Sequence, residues 1–299
     1  MKPYRCVRSL ALLMAALSIS CGGGGGGGGS TGTLAAQVVV GNLSVPTALR
    51  FTPDGDIIFT EKATGNVRKV VNGTVLPNPI FSVSVESDGE RGLLGLAIDP
   101  NYQANNFVYV FYTKASGTEN EVVRFTDNGS GPNPTVIVPG LPASANHNGG
   151  RLEFGPDGKL YVTLGDVQNA SNSQSDSTPA GKVLRYNANG SIPGDNPIPG
   201  NPLFSKGHRN CFGLAIDQVS GRVFVSENGP DCDDEVNRLV AGGNFGWRPG
   251  QPCGDNDPGF LDPLVRFSSV NAPTGMVVGT SAFGNSLLMA SFNDRKLRR

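Results

Sequence analysis

Histidine is scarce in this chain: its 299 residues include two, His147 and His208, beside five cysteines. No two cysteines have the close spacing of zinc ligands, and His208 is the one histidine near a cysteine, so we do not expect a zinc site. An excess of charge is also lacking, since 24 lysines and arginines balance 25 aspartates and glutamates. That balance argues against a nucleic-acid partner and against a basic membrane-binding surface.

An apolar run long enough to span a bilayer is lacking too. The most apolar stretch, residues 10–19, is too short for a membrane helix; it precedes Cys21 and follows three positive charges, Lys2, Arg5 and Arg8. This arrangement is typical of an export segment. The residues before Cys21 resemble a bacterial lipoprotein box, so we expect residues 1–21 to be a signal segment that places a lipid anchor on Cys21. Ordinary signal cleavage nearby is the alternative.

Residues 22–40 open with a run of eight glycines. Such a segment buries almost nothing and is predicted to be a flexible tether. Signal segment and tether together predict an exported protein of the cell envelope, on the periplasmic or outer-surface side. We expect it to contact the membrane only through the lipid anchor.

Three cysteines remain for the folded part, because Cys6 and Cys21 belong to the signal segment. In an oxidising compartment, one disulfide and one leftover thiol are expected. We favour a bond between Cys232 and Cys253, since both lie in loop-like sequence rich in Gly, Asp and Pro. Cys211 adjoins a predicted strand and is expected to be buried.

One unit recurs along the chain: an alternating apolar strand, a tight turn and a second alternating strand. It begins at four leucines, which are 47, 56 and 62 residues apart: Leu49, Leu96, Leu152 and Leu214. These are the intervals of four-stranded propeller blades with loop insertions. In two of the units the turn is Pro-Asp-Gly, where proline presets φ and glycine accepts a positive φ.

A fifth unit starts at residues 274–278 and 286–291. We therefore expect residues 41–299 to form an all-β propeller whose last strands belong to about the fifth blade. An open ring would leave sheet edges unpaired. The sequence is therefore either a fragment of a longer chain, which we favour, or an unusual five-unit ring.

Polar residues gather in the loops between the predicted strands, where a propeller places its function. His147 precedes one hairpin and Asp166 ends it, so the two side chains could meet. A histidine held by a carboxylate has one fixed tautomer and is a better base. On spacing alone, a loop hydrogen bond and a turn-capping aspartate are the favoured explanation of the pair.

Two further loops carry candidate ligands. Arg209 and Asn210 could bind an anionic group or anchor neighbouring carbonyls, while the adjacent His208 is expected to be structural. The carbonyls of Gly229 and Pro230 could bind a hard cation such as Ca²⁺. An acidic run follows them, which strengthens that interpretation but also suits a solvated turn: Asp233, Asp234 and Glu235.

Six phrases occur in the order ERGLLGLAIDP, NHNGGRLEFGPDGKLYVTLGD, GKVLRYNANGSIPGDNP, GHRNCFGLAID, SENGPDCDDEVN and GGNFGW. From about Leu43 onward the chain thereby resembles the soluble quinoprotein glucose/sorbosone dehydrogenase family. The resemblance implies a six-bladed β-propeller that binds pyrroloquinoline quinone (PQQ) and Ca²⁺ and oxidises aldose sugars, passing electrons to an unidentified acceptor.

By this resemblance His147 is the general base and Asp166 the carboxylate that orients it. Arg209 and Asn210 contact the reacting quinone carbonyl, and Arg209 stabilises the charge that develops there. The backbone oxygens of Gly229 and Pro230 hold Ca²⁺, which polarises that carbonyl.

The chain departs from the family pattern in two places. Glu90 replaces a glutamine beside the cofactor site and adds negative charge near an acidic cofactor. Asn293 stands where some members have a lysine, and the nearest replacements follow it: Arg295, Lys296, Arg298 and Arg299.

We therefore predict a PQQ- and calcium-dependent sugar dehydrogenase. The alternative is a non-catalytic extracellular binding propeller of the same fold. A third possibility, a metal-dependent lactone hydrolase, lacks converging channel ligands in the sequence.

Overall fold

The computed structural model describes residues 12–18, 35–129 and 131–299, whose regular secondary structure is almost entirely β-strand. The helical segments there are one α-helix of four residues, Tyr102–Asn105, and two 3-10 helices, Ala170–Gln174 and Ser281–Phe283. This confirms the all-β prediction. Within these ranges, no helix is long and apolar enough to cross a membrane.

The described strands, in chain order, are β1 Leu12–Ser18, β2 Ala35–Leu43, β3 Pro46–Phe51, β4 Ile57–Glu61, β5 Asn66–Val71, β6 Thr74–Val75, β7 Phe81–Ser82, β8 Leu93–Ile98, β9 Phe107–Thr113, β10 Glu119–Thr126, β11 Thr135–Pro142, β12 Leu152–Phe154, β13 Leu160–Leu164, β14 Lys182–Tyr186, β15 Leu203–Lys206, β16 Cys211–Ile216, β17 Val223–Glu227, β18 Asp234–Leu239, β19 Val265–Phe267, β20 Pro273–Val278, β21 Leu287–Ser291 and β22 Leu297–Arg298.

Five sheets have the topology of propeller blades, each made of consecutive antiparallel strands. Blade 1 is β3 to β6 with β7 beside β5, blade 2 is β8 to β11, blade 3 is β12 to β15, blade 4 is β16 to β19, and blade 5 is β20 to β22. The first strand of each blade packs against the first strand of the next. The repeat read from the sequence is therefore the blade of a β-propeller.

The six-blade expectation is corrected: the described residues form five blades, and the fifth has three strands. The number six came from the family resemblance, whereas the strand-turn-strand unit occurs five times between residues 41 and 299. The last described strand, β22, lies in the fifth blade, as predicted.

The Pro-Asp-Gly turns form as predicted. In blade 1 the Gly55 N–H donates to the Thr52 carbonyl at 2.9 Å, and Gly55 has φ +88°. In blade 3 the Gly158 N–H donates to the Gly155 carbonyl at 2.9 Å, and Gly158 has φ +69°. Glycine adopts these positive angles without steric cost, which fixes the register of both hairpins.

The core lies between neighbouring blades. Along β9, Val108, Val110 and Tyr112 pack toward blade 1, while Tyr109 and Phe111 pack toward blade 3. Successive strand residues point to opposite faces, so a strand covered on both faces must be apolar at nearly every position. This explains the continuous run FVYVFY of residues 107–112.

One arginine ties the first strands of the blades together. Arg151, just before β12, donates from Nε to the Phe212 carbonyl at 2.6 Å and from a terminal nitrogen to the carbonyls of Thr47 at 2.6 Å and Leu94 at 3.1 Å. These carbonyls belong to blades 4, 1 and 2. Burial, with a smaller effect of nearby Arg50, lowers the pKa of Arg151 to about 10.

Arg151→Met is expected to destabilise the fold by about 2–4 kcal/mol, because three carbonyls lose a charged donor. Removing the desolvation cost of the buried guanidinium offsets only part of that loss. Urea unfolding followed by circular dichroism measures the change. The matched control is Arg222→Met, at an exposed position where we expect a change within about 0.5 kcal/mol. Equal midpoints for both variants would contradict the role of Arg151.

The N-terminal strands lie outside the five blades. β1 pairs antiparallel with β2, and Leu43 of β2 packs with Ile57, Phe59 and Val70 of blade 1. β2 begins at Ala35, within the segment predicted to be the tether, and the domain bounds remain predictions. Cys21 and the glycine run lie outside the described residues.

Candidate functional site

The predicted site residues lie at one end of blades 3 and 4, in or beside the loops that adjoin the first and second strands of each blade. His147 precedes β12 and Asp166 follows β13, while Arg209 precedes β16 and Glu227 ends β17. Because paired antiparallel strands bring the start of one beside the end of the next, each blade contributes two of these residues to one rim. The two blades are joined there by the Asp166 N–H, which donates to the Arg209 carbonyl at 2.8 Å.

The structure brings His147 and Asp166 together. Nδ1 of His147 lies 2.6 Å from Oδ1 of Asp166, whose side chain is 2% exposed. The same carboxylate oxygen accepts the Gln168 N–H at 2.8 Å. An ionised carboxylate has no proton to donate, so the hydrogen lies on Nδ1 and Nε2 keeps its lone pair. The pair thus has the arrangement of an oriented base.

The backbone around this pair is strained. His147 has φ +61°, and Val167 and Gln168, just after Asp166, have φ +50° and +64°. Such angles are costly for residues other than glycine and are retained where the surrounding contacts enforce them. Gly165 allows the loops to meet, since a side chain there would collide with the His147 carbonyl.

Glu90 joins the loop that carries His147 to the loop that carries Asn210. Its Oε2 accepts the His147 N–H at 2.6 Å and the Asn210 side-chain amide at 3.0 Å. Both donors are neutral, so a glutamine oxygen could accept the same two bonds. Glu90 therefore adds negative charge to the site without being required to hold these loops in place.

Arg209 is the cation of the site. Its terminal nitrogen donates to the Asn228 carbonyl at 2.9 Å, its backbone N–H donates to Glu227, and its guanidinium lies 5.6 Å from the centre of the Trp247 ring. Burial lowers the pKa of Arg209, and the nearby carboxylates oppose that shift. Among the described residues no carboxylate lies within 4.0 Å of the guanidinium, so its charge is available to an anion.

Both ring nitrogens of His208 have hydrogen-bond partners. His208 is 0% exposed; Nδ1 lies 3.0 Å from Glu227 Oε2 and Nε2 lies 2.9 Å from the Ser205 hydroxyl. Cys211 is buried beside the same glutamate at 3.7 Å, and burial raises the pKa of its thiol. Sequence reasoning missed this cluster, because Glu227 comes from the neighbouring strand.

Arg209 also lines a cavity that is partly open to solvent, together with Glu227, Gly229, Pro230 and Trp247. Within the described part of the chain, the lining residue Gln251 has a side-chain oxygen that is buried without a hydrogen-bond partner, and so do two residues adjacent in sequence to lining residues, Asn210 and Asn228. Unpaired acceptor oxygens suit a hard cation.

The acidic run near this cavity divides into two kinds of residue. Asp234 is an anchor, since its carboxylate accepts the N–H groups of Gly229 at 2.9 Å, Asn271 at 2.5 Å and Ala272 at 2.8 Å. Glu235 lines the cavity, and burial, with the neighbouring Glu227 adding to it, raises its pKa to about 7. A cation would stabilise its ionised form, so the cavity fits Ca²⁺.

The basic residues near the last strand do not line this cavity. Arg298 pairs with Asp294, Lys296 lies 3.9 Å from the same carboxylate, and Arg299 donates to the Ser286 hydroxyl at 2.8 Å. Asn293 donates to the Val270 carbonyl at 3.1 Å. Among the residues found to line the cavity, Arg209 is the one cation that an acidic cofactor would meet.

The favoured disulfide is confirmed. Cys232 and Cys253 are bonded, and Cys211 is free and buried. The bond joins the loop that follows Pro230 to the loop that follows Trp247. Asp233 reinforces this link by accepting the Gly254 N–H at 2.5 Å.

Replacing both bonded cysteines by alanine is expected to lower the free energy of unfolding by about 3 kcal/mol, the value for a closed loop of roughly 20 residues. Urea unfolding with and without dithiothreitol tests this. The reductant should lower the midpoint of the wild type and leave the double variant unchanged. An unchanged wild-type midpoint after verified reduction would contradict the prediction.

The part of the chain that forms the five blades is also the part that matches known proteins. Residues 43–299 match the family model described as Glucose / Sorbosone dehydrogenase. Over 247 residues the chain is 36% identical to quinoprotein glucose dehydrogenase B of Acinetobacter calcoaceticus, covering 71% of this chain and 52% of that protein. It is 30% identical over 249 residues to aldose sugar dehydrogenase YliI of Escherichia coli strain K12, covering 78% and 67%. The chain thus spans about half the length of the first relative.

Among solved structures, the PQQ-bound aldose sugar dehydrogenase of Streptomyces coelicolor superposes with a TM-score of 0.80 at 30% identity. The match covers 96% of this chain and 81% of that one. The similarity therefore extends over all five blades.

Proposed function

The chain belongs to the glucose/sorbosone dehydrogenase family, and from that premise we propose that it is an exported dehydrogenase that oxidises aldose sugars with PQQ and Ca²⁺. The observation that carries the proposal is the His147–Asp166 pair. Its Nδ1 is held at 2.6 Å by a carboxylate that is 2% exposed, which leaves Nε2 as the base.

Oxidation of an aldose at its anomeric carbon removes one proton from the hydroxyl and one hydride from the carbon. Nε2 of His147 takes the proton, and Asp166 stabilises the imidazolium that forms. When bound, PQQ supplies the carbonyl that accepts the hydride and Ca²⁺ polarises that carbonyl. The Arg209 guanidinium stabilises negative charge developing nearby.

The cofactors would be held by the residues of the cavity and its rim. The backbone oxygens of Gly229 and Pro230 would bind Ca²⁺, and the unpaired acceptors Asn228 Oδ1 and Gln251 Oε1 favour a cation there. Arg209, Asn210 and Glu90 would contact the quinone.

Reconstitution tests this function. The purified chain is supplied with Ca²⁺ and PQQ, and reduction of a redox dye is followed with a panel of aldoses. Turnover that requires both additions supports the dehydrogenase, while PQQ binding is measured separately by quenching of tryptophan fluorescence. Folded protein that neither binds PQQ nor oxidises any aldose would overturn the proposal.

The second candidate is a non-catalytic extracellular binding propeller. It is favoured by one observation, that Arg209 is the one cation found lining the cavity, while Arg298 is paired with Asp294. Absence of PQQ binding in the experiment above would support it.

Export and a lipid anchor on Cys21 complete the proposal. A disulfide between Cys232 and Cys253 supports an oxidising compartment. Labelling cells with a radioactive fatty acid tests the anchor: the chain should incorporate label, and Cys21→Ala should not. Equal labelling of both would contradict it.

A further inference from the structure

The chain's single tryptophan contacts the carboxylate that orients the base. Trp247 Nε1 donates to Asp166 Oδ2 at 2.8 Å. The other oxygen, Oδ1, is shared by His147 and the Gln168 N–H. Each oxygen of this nearly buried carboxylate therefore has a donor, and Trp247 is the donor that fixes the rotation of the group about its last bond.

Trp247 is itself held by contacts remote from His147. Its N–H donates to the Gly207 carbonyl at 3.0 Å, and its carbonyl accepts the Gln174 side-chain amide at 2.8 Å. Gln174 and Asn244 exchange a pair of amide hydrogen bonds at 2.8 and 3.1 Å. The indole is thus positioned by the 3-10 helix Ala170–Gln174 and by the loop that precedes Trp247 in sequence.

We infer that Trp247 is a positioning residue of the site, whose indole N–H orients Asp166 so that His147 carries its hydrogen on Nδ1 and presents Nε2 as the base. The inference rests on the proposed function only for its catalytic consequence. The tautomer of His147 is a property of the protein alone.

The physical reason is the cost of an unpaired charged oxygen. Without the indole N–H, Oδ2 of a carboxylate that is 2% exposed has lost its donor, and the group can gain by turning toward other donors. The charged neighbours of His147 do not replace this contact. Of the atoms of His147, Glu90 binds the backbone N–H and not the ring, and the Arg209 guanidinium donates to the Asn228 carbonyl.

Trp247→Phe keeps an aromatic ring near Arg209 and removes only the N–H and part of the indole. We expect the ratio of the Nε2–H to the Nδ1–H tautomer of His147 to rise about tenfold, as the loss of one hydrogen bond to a charged group implies. Nitrogen-15 spectra of the histidine-labelled full chain at pH 8 measure this ratio. With two histidines in the sequence, His208 serves as an internal reference, since Glu227 and Ser205 hold its ring.

Two further variants make the test decisive. Tyr112→Phe, a matched control, removes another hydrogen bond to a carboxylate, Glu121 in blade 2, and should leave the His147 ratio unchanged. Gln174→Ala frees the Trp247 backbone without touching Asp166 and should raise the ratio in the same direction. It replaces the first test if Trp247→Phe does not fold, as judged from the His208 signals.

A wild-type ratio in the folded Trp247 variant, or in the Gln174 variant where that one replaces it, would overturn the inference. A tenfold change without sugar oxidation by any form would support the inference and oppose the proposed function. Sugar oxidation by the wild type, with an unchanged tautomer ratio of His147 in the variant, would support the proposed function and overturn the inference.

Discussion

His147→Asn should lower kcat for aldose oxidation by about 100- to 10,000-fold, the usual contribution of a positioned general base. Asparagine can still donate to Asp166 through its amide, but it has no lone pair of comparable basicity to take the hydroxyl proton. Dye reduction by the protein reconstituted with Ca²⁺ and PQQ measures the loss. The dissociation constant of PQQ should change by less than about threefold, because the role proposed for His147 is to take the proton of the sugar and not to hold the quinone.

Two outcomes separate catalysis from folding. The variant should unfold close to the wild-type urea concentration, because asparagine keeps a donor for Asp166 and tolerates the positive φ of +61° at this position. Added imidazole should restore part of the rate, because it supplies the missing base in solution. A kcat within about fivefold of the wild type would remove His147 from the mechanism.

The sequence allowed the fold to be predicted because blade strands are covered on both faces. That requirement produces runs such as that of β9, and the Pro-Asp-Gly turns mark the hairpins between them. The number of blades could not be read in the same way. Six came from the resemblance, while each described blade corresponds to one unit found in the sequence.

The site was predictable where neighbours in sequence become neighbours in space. His147 and Asp166 are joined by one hairpin, 19 residues apart, so the geometry of that hairpin brings them together. Trp247 lies 81 residues from Asp166 and in another blade. No local pattern predicts that contact, which depends on how blades 3 and 4 pack.

Acidic residues show a second limit of sequence reasoning. Asp234 and Glu235 are adjacent, and the sequence alone makes both of them candidate cation ligands. They lie on β18, where successive side chains point to opposite faces. Asp234 is consequently an anchor for three backbone N–H groups, while Glu235 reaches the cavity.

Of the residues that line the cavity, Arg209 is the one whose loss should weaken binding of an acidic cofactor most. Arg209 lacks a carboxylate within 4.0 Å among the described residues and keeps its charge despite burial that lowers its pKa. Burying a cation without an ionic partner is unfavourable. An anionic ligand beside Trp247 would relieve that cost, and on the proposed function Arg209 would be the residue through which the cavity recognises an acidic cofactor.

Arg209→Met should therefore weaken PQQ binding at least tenfold and lower kcat by about 100- to 1,000-fold, the range for loss of one preorganised charge donor. Trp247 reports binding through its fluorescence, since the guanidinium lies 5.6 Å from its ring. The control is Arg248→Met, one residue beyond Trp247. Arg248 is paired with Asp255 at 2.6 Å and Asp257 at 3.3 Å, so its charge is already satisfied.

The Arg248 variant should bind PQQ within about threefold of the wild type and retain its kcat. Equal losses in both variants would mean that general positive charge, and not the unpaired guanidinium of Arg209, attracts the cofactor. Unchanged PQQ affinity in a folded Arg209 variant would place the quinone elsewhere. It would also favour the binding propeller, because the described cavity lining offers an acidic cofactor no second cation.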